Sequence, residues 1–339
     1  MPNKRICIIP KYTGIGGPSS FLDRLKMVLN KRGIEVIHDL NEKNIDSILV
    51  INSTKDLFKL YLKKKQGVRI VQRLGSPSLL WWYFPLSLHK YTLDIIRNLM
   101  NRCVRSILAD AIVYQSNYVK EDWDKMYGKS KVPSEIIYNG VDKNTFTNVE
   151  HVYQSKRDHC IISVEGMQGL DPFDIAINLG KRLDEKGVDF ELLMFGIPHH
   201  NIDKRVANYP FIKFLGPIAR FELPFYYAGS DCYLLTDLLG AGCPNSVLEA
   251  LSCGTPVLSY DLGVISEMIN DDSGVLIKGN GDPWKGQNPK NFDLLAEGAI
   301  KLFNNKKRFN RGALKIAKDQ YDLNQMAEKY IDVLYPTSN

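Results

Sequence analysis

No run of about 18 apolar residues occurs in the sequence, and its opening, MPNKRICIIP, holds too short an apolar stretch for a signal-peptide core. A membrane-spanning helix and a secretory leader are therefore not expected, and RICIIP reads as a first β-strand. There is no C-x-x-C pair and no cysteine–histidine spacing of the kind that holds zinc. Cys7, Cys103, Cys160, Cys232, Cys243 and Cys253 are scattered. Free thiols in a reducing cytoplasm are the expectation, with no metal site. Internal repeats, low-complexity tracts and a lysine-bearing cofactor motif are also missing. A dinucleotide fingerprint fails, because in GIGGPS the sixth position of G-x-G-x-x-G is Ser19.

What is present is an ordinary globular composition, 44% apolar and 24% charged, which argues against long disorder. The 339 residues exceed a usual single domain and favour two domains of roughly 150 residues, each able to bury a core. Charge is shared unevenly. Residues 1–155 carry 24 Lys/Arg against 14 Asp/Glu, a balance of +10, and residues 156–339 carry 20 against 24, a balance of −4. A basic first half suits an acidic acceptor, an anionic membrane surface or nucleic acid, and solvated lysines on surface helices explain it equally well.

Short apolar runs alternate with amphipathic stretches of helical length: RICIIP, FLDRLKMVLNKRG, DSILVIN, TKDLFKLYLKKKQG, VRIVQRL. This is β-α-β-α punctuation. It resumes with a helix near Lys90–Ala109, the strand ADAIVYQS, a helix near Tyr118–Tyr127 and the strand EIIYNG, a pattern that builds doubly wound parallel sheets. Between Val141 and Asp158 the chain turns polar and loses periodicity, as a connector does. Alternation then restarts with CIISVEG, a helix over Pro172–Lys186, VDFELLMFG, FIKFLGPI, SDCYLLTD, TPVLSYD and GVLIKGN. From Asn291 onward the tail reads as consecutive helices ending at Pro336. The expected domains are 1–150 and 151–320, both Rossmann-like, and 321–339, a last helix crossing back to the first.

The segment GAGCPNSVLEALSCGTPVLSYDLGVISEMI, residues 240–269, reads as glycine loop, helix, turn and strand. Gly240 and Gly242 let backbone approach a ligand, Pro244 and Asn245 suit the first positions of a helix, and Val247, Leu248 and Leu251 hold that helix on the sheet. A helix N-terminus at the carboxyl edge of a parallel sheet presents free N–H groups and a positive dipole end to an anion such as a diphosphate. Glu249, one turn in, can then accept hydrogen bonds from ribose hydroxyls.

This segment resembles the donor site of the family 4 retaining glycosyltransferases of the GT-B fold, where a Glu, seven residues and a second Glu precede A-x-x-C-G-x-P-V. The matching residues are Glu249, Ala250, Cys253, Gly254, Thr255, Pro256 and Val257. FIKFLGPIARFELPFYYAGSDCYLLTD is similar to that family's approach to the nucleotide base, with Gly216 and Ile218 flanking it. ADAIVYQS and IIYNGVD are similar to its N-terminal domain and connector. The resemblance covers nearly the whole chain and implies an α/β GT-B fold, two Rossmann-like doubly wound parallel-sheet domains with a deep cleft between them. It implies donor contacts from Gly16, Gly17, Gly216, Ile218, Pro244, Asn245, Ser246, Val247 and Glu249. No metal or other cofactor is implied, only a nucleotide-sugar such as a UDP- or GDP-sugar as substrate.

The sequence also departs from the family. Its first Glu falls on Ala241, for which Asp237 is the stand-in considered, and the Arg and Lys that grip the diphosphate fall on Gly166 and Asp171. Two charges near 4 Å are worth several kcal/mol at an effective dielectric of about 20, so the loss of both is not minor. Either Lys204, Arg205 or Arg220 substitutes, or the donor is unusual, or activity is lost. In KYTGIGGPSS the glycines make a tight turn and Ser19 or Ser20 can cap the following helix. Arg73, at the carboxyl end of VRIVQRL, either contacts acceptor or phosphate or closes a surface ion pair. With Asp237 it is the candidate for a catalytic role. Trp81, Trp82, Tyr83 and Phe84 suit sugar stacking, membrane contact or core packing. With Lys63, Lys64 and Lys65 they admit peripheral attachment to a bilayer. His89, His199 and His200 are the histidines nearest the expected site, and a structural role is the ordinary one for each.

The expected function is retaining transfer of a sugar from a nucleotide-sugar to a hydroxyl acceptor in surface polysaccharide or glycoconjugate synthesis. The alternative is a catalytically inactive binding or scaffolding subunit of the same fold; an epimerase or phosphorylase fits less well. A glycan or lipid-linked glycan is the expected acceptor, nucleic acid is not an expected partner, and the expected location is the cytoplasm, with the inner face of the plasma membrane as a peripheral site.

Overall fold

The computed structural model of the protein describes residues 4–14, 16–78, 88–147, 149, 151–164, 172–197, 202–236, 242–279, 289 and 291–336. The chain forms two compact units, Met1–Gly140 with Asp322–Asn339, and Val141–Tyr321. The division falls at Gly140/Val141, earlier than a boundary at 150, for a local reason. The short helix Lys143–Phe146, inside the stretch read as connector, lies on the second unit, where the Val141 N–H donates to the Tyr321 carbonyl at 2.8 Å and Thr147 Oγ1 to the Ser252 carbonyl at 3.5 Å.

In the first unit β1 (Arg5–Ile9), β2 (Glu35–Ile37), β3 (Ser47–Ile51), β4 (Arg69–Leu74), β5 (Ala111–Tyr114) and β6 (Ser134–Ile136) form a parallel sheet in the order β2-β1-β3-β4-β5-β6. Every residue of β3 is buried, as a parallel strand covered on both faces must be. Helices Gly17–Lys31 and Leu323–Leu334 pack on Ile6, Ile8, Leu49 and Val71. On the other face, Leu60, Val104, Leu108, Val119 and Trp123 cover Cys7, Ile9, Ile48 and Val50. The helix expected near 90–109 is an α-helix over Leu88–Cys103 that passes into a π-helical turn, Val104–Leu108. Gly16 caps helix Gly17–Lys31, with Pro18 in its first turn, so Ser19 and Ser20 lie inside the helix and cap nothing. Gly14 and Gly16 have φ of +97° and +155°, backbone that glycine adopts readily.

The second unit repeats the plan with β7 (His159–Val164), β8 (Phe190–Phe195), β9 (Ile212–Gly216), β10 (Cys232–Leu234), β11 (Val257–Tyr260) and β12 (Gly274–Ile277), ordered β12-β11-β10-β7-β8-β9 and parallel throughout. Helices Pro172–Glu185 and Phe292–Asn304 bury Phe173, Ala176, Leu179, Leu295, Ala299 and Leu302 on this sheet. In each sheet the strand order reverses once, between β1 and β3 and between β7 and β10. Ligands bind at such switch points, off the carboxyl ends of the strands.

All six cysteines are free, and burial pushes the Cys7 and Cys160 thiols up to about 12, which leaves them unreactive. Among the described residues no helix is long and apolar enough to cross a membrane.

Candidate functional site

The helix Asn245–Ser252 follows β10 at the switch point of the second sheet. Val247, Leu248, Ala250 and Leu251 are fully buried and fix the helix on the sheet, while Asn245 and Ser246 stay partly exposed at its start. Pro244 is the N-cap residue and offers no side-chain cap, and the first turn contains no acidic residue. Among the described residues no side chain caps this N-terminal dipole end, the end of a helix that favours an anion. Val247 can contribute only its main-chain N–H, because its side chain is core.

Two contacts set this helix end in place. The Tyr233 hydroxyl, on β10, donates to Ser246 Oγ at 2.9 Å and lies 3.4 Å from the Val164 carbonyl oxygen at the end of β7. One turn further on, Glu249 is 5% exposed and accepts from Arg220 Nε at 3.0 Å and Nη2 at 2.7 Å, both on Oε1. Arg220 belongs to the segment that follows β9. Gly216, with φ +73° and open space around it, turns the chain there, and Ile218 stands half-exposed two residues before Arg220. The structure thus brings Arg220 and Glu249 together beside the helix.

Burial, the larger effect, pushes Glu249 up to about 7, against the opposing pull of the Arg220 guanidinium. Arg220 also lies 6.0 Å from the centre of the Phe146 ring. Of the three cations weighed as diphosphate partners, Arg220 is the one at this site. Lys204 and Arg205 line a different groove, of about 330 Å³, with Lys181, Asn178 and Tyr209.

The other sequence-derived positions lie elsewhere. Gly16, Gly17 and Arg73 belong to the first unit. Arg73 is 2% exposed: its Nη2 donates to Asn139 Oδ1 at 2.8 Å and its guanidinium sits 3.7 Å over the Phe21 ring. The Gln115 amide oxygen, in the orientation that satisfies both groups, accepts from Arg73 Nη1 at 3.0 Å. It closes no surface ion pair, because it is buried and its partners are neutral. Buried polar groups surround it at the end of β4: Gln72 Nε2 donates to the Asn52 carbonyl at 2.6 Å, and the Gly75 N–H to Asn52 Oδ1 at 3.0 Å. Among the described residues, Arg73 Nε, Gln72 Oε1 and Ser76 Oγ are buried without a partner, which leaves hydrogen-bonding capacity there. Asp237, Ala241, Gly166, Asp171, Trp81, Trp82, Tyr83, Phe84, His199, His200 and the side chain of His89 lie outside the described residues. Among the described residues no cluster of three or more His, Cys, Asp or Glu is placed to hold a metal ion.

Two family models match the chain: Glycosyltransferase Family 4 over residues 5–145 and Glycosyl transferases group 1 over residues 164–303. Together they span most of both units. The chain belongs to glycosyltransferase family 4. No curated protein matches it in sequence. Among solved structures it is similar to sucrose-phosphate synthase from Thermosynechococcus elongatus, with a TM-score of 0.73 at 13% identity over 97% of each chain. It is also similar to a glycosyltransferase from Rickettsia africae, with a TM-score of 0.72 at 17% identity over 99% of this chain and 100% of that one. A third is HepE of Anabaena, solved with UDP and glucose, with a TM-score of 0.69 at 15% identity over 99% and 100%. At such identities the likeness establishes the fold, which is GT-B. In this glycosyltransferase the fold places the segment carrying the family 4 motif, helix Asn245–Ser252, at the switch point.

Proposed function

We propose that the protein moves a sugar from a nucleoside diphosphate sugar to a hydroxyl acceptor with retention of anomeric configuration. The observation that carries this reading is a buried carboxylate, Glu249, one turn into an uncapped helix at a sheet switch point. The first-turn amides around Asn245–Val247 take the diphosphate and stabilise the charge that develops on it as the glycosidic bond breaks. Glu249 accepts from the ribose hydroxyls, and Ile218 with the main chain after Gly216 borders the base.

The acceptor in this reading is a growing surface polysaccharide or lipid-linked glycan, reached at the cytoplasmic face of a membrane. The basic first half of the sequence supports that assignment, as do the buried polar groups around Arg73 with hydrogen-bonding capacity left. The solved complex of HepE makes UDP-sugars the first donors to try.

A thermal-shift panel of UDP, GDP, ADP, CMP and their common sugar conjugates tests the reading, since a ligand that binds the folded state raises its apparent stability. A shift with one nucleotide that disappears in Glu249→Ala supports it. A flat panel, with flat calorimetric titrations at high nucleotide, overturns it and leaves a glycosyltransferase-like binding subunit.

A further inference from the structure

Helix Leu88–Cys103 is inverted relative to an ordinary surface helix. Its buried side chains are polar: Asp94, Asn98 and Asn101 are 1%, 4% and 7% exposed. Asp94 and Asn98 are held by hydrogen bonds, with Ser78 Oγ donating to Asp94, the Ser78 N–H to Asn98 Oδ1 at 2.8 Å and Asn98 Nδ2 to the Ser78 carbonyl at 2.8 Å. Its outward side carries a row of apolar side chains. Tyr91, Ile95 and Leu99 recur at i, i+4 and i+8 with Ile96 beside them, all between 41% and 52% exposed. Ile107, in the π-helical turn that continues the helix, is 65% exposed. Scattered exposed apolar residues are normal, but a turn-spaced row of them opposite a hydrogen-bonded polar face is not.

The charge around this row has one sign. From 88 to 108 the sequence holds a single acidic residue, the buried Asp94. Arg97 and Arg102 are exposed. The neighbouring helix Leu57–Lys65 is tied to the π-helical turn by Lys64 Nζ, which donates to the Leu108 carbonyl at 2.8 Å. That helix adds Phe58, 72% exposed, and Tyr61, over whose ring Lys65 Nζ sits at 5.6 Å.

We propose that this face docks the protein on an anionic lipid bilayer, the row Tyr91–Ile95–Leu99 with Ile96 entering the headgroup boundary and Arg97 and Arg102 meeting anionic headgroups. Apolar rows flanked by Arg and Lys partition to such interfaces in this way. A second copy of the chain fits less well. Twofold packing of this face would set Arg97 and Arg102 near their own copies, and no exposed acid on the helix would answer them. The inference deepens the reading that the acceptor is met at a membrane and rests on it for its purpose, while the docking is read from the helix alone.

Co-sedimentation of the full chain, without nucleotide, with vesicles of phosphatidylcholine plus phosphatidylglycerol and of phosphatidylcholine alone tests it. The protein is expected in the pellet with the anionic vesicles. Ile96→Ser/Leu99→Ser is expected to weaken partitioning at least about tenfold, and Arg97→Gln/Arg102→Gln roughly tenfold. All four side chains are exposed, so both variants keep the wild-type melting temperature and lipid-free nucleotide binding. Wild type left in the supernatant with anionic vesicles overturns the proposal, as does binding that neither variant weakens. A dimer on size exclusion that Ile96→Ser/Leu99→Ser dissociates assigns the face to a second copy and overturns it too. Nucleotide binding measured without lipid tests sugar transfer separately, so the two readings fail independently.

Discussion

Arg220 and Glu249 stand 29 positions apart in sequence, and both Nε and Nη2 of Arg220 fall on a single carboxylate oxygen, Oε1. The pair is lopsided: the Glu249 side chain is 6% exposed and that of Arg220 34%. The guanidinium can therefore shift toward solvent or ligand while the carboxylate stays fixed by the helix. Hydrogen bonds to a charged acceptor are worth about 1.5–3 kcal/mol each. Glu249→Ala is expected to weaken nucleotide binding by at least about tenfold, with Glu249→Gln intermediate, read by calorimetric titration. Unchanged affinity in both would remove Glu249 from the donor site.

The same carboxylate sets a pH dependence. Burial holds Glu249 at about 7, whereas an unfolded chain ionises it near 4.3. Over that interval the folded protein keeps a proton that the unfolded chain has released. Its stabilising contribution is complete below about pH 4.3 and is lost as pH rises toward about 7. The urea midpoint of the wild type should fall across this window relative to Glu249→Gln, whose amide does not titrate. Nucleotide affinity should run the other way, rising through about pH 7 as the carboxylate forms, and lose that rise in Glu249→Gln. A wild-type-minus-variant difference that is constant with pH would contradict the assignment.

Removing the cation should cost less than removing a fully buried one. With a third of its side chain in water, Arg220 is partly screened, and Arg220→Ala is expected to lower stability by about 1 kcal/mol. It should also raise the midpoint of the Glu249-dependent titration, because the guanidinium pulls that midpoint down. A midpoint that falls or does not move would contradict this.

Most of the architecture was legible in the sequence because parallel strands buried on both faces read as short apolar runs, and eleven of the twelve strands were visible that way. β2 was missed: Glu35–Ile37 is a three-residue edge strand with only Ile37 buried, too short to show a period. Periodicity also marked helix Leu88–Cys103 but could not say that its polar side faces inward. Helix Asn245–Ser252 was legible within Pro244–Val257 because a helix end, a glycine and a strand follow in one local segment. The Arg220–Glu249 pair was not, since no local pattern encodes a contact between a loop and a helix that follow different strands. Tyr233 was invisible for the same reason, its hydroxyl meeting the helix from a neighbouring strand.

Tyr233→Phe isolates that hydroxyl. It removes the donor to Ser246 Oγ and leaves the ring in the core, where it is fully buried against Tyr227 at 5.9 Å between ring centres. A neutral hydrogen bond is worth about 1 kcal/mol, so a small loss of stability is expected. The informative quantity is donor affinity, expected to fall several-fold as the start of helix Asn245–Ser252 loosens. A drop in melting temperature with no change in nucleotide titration would make Tyr233 a packing residue only.

Gly140, in the motif IIYNGVD, sits where the first unit ends, and the structure gives a steric reason for it. A Cβ there would stand 2.7 Å from Leu323 Cα and 3.1 Å from the Asp322 carbonyl oxygen. Both are backbone atoms, so no side-chain rotation relieves the clash. Asp322 caps helix Leu323–Leu334 by accepting from the Asn324 and Gln325 N–H groups, and the Gly140 carbonyl accepts from Arg24 Nη1 at 2.9 Å. Gly140→Ala must therefore displace the start of a helix that buries Met326, Ala327, Tyr330 and Leu334 in the first unit's core. A cost of about 1–3 kcal/mol is expected. Hydrogen exchange should show it confined, with faster exchange in Leu323–Leu334 and Gly17–Lys31 and unchanged protection in β7 to β12. Equal loss of protection in both units would show that Gly140 matters to the whole chain and not to the seat of this helix.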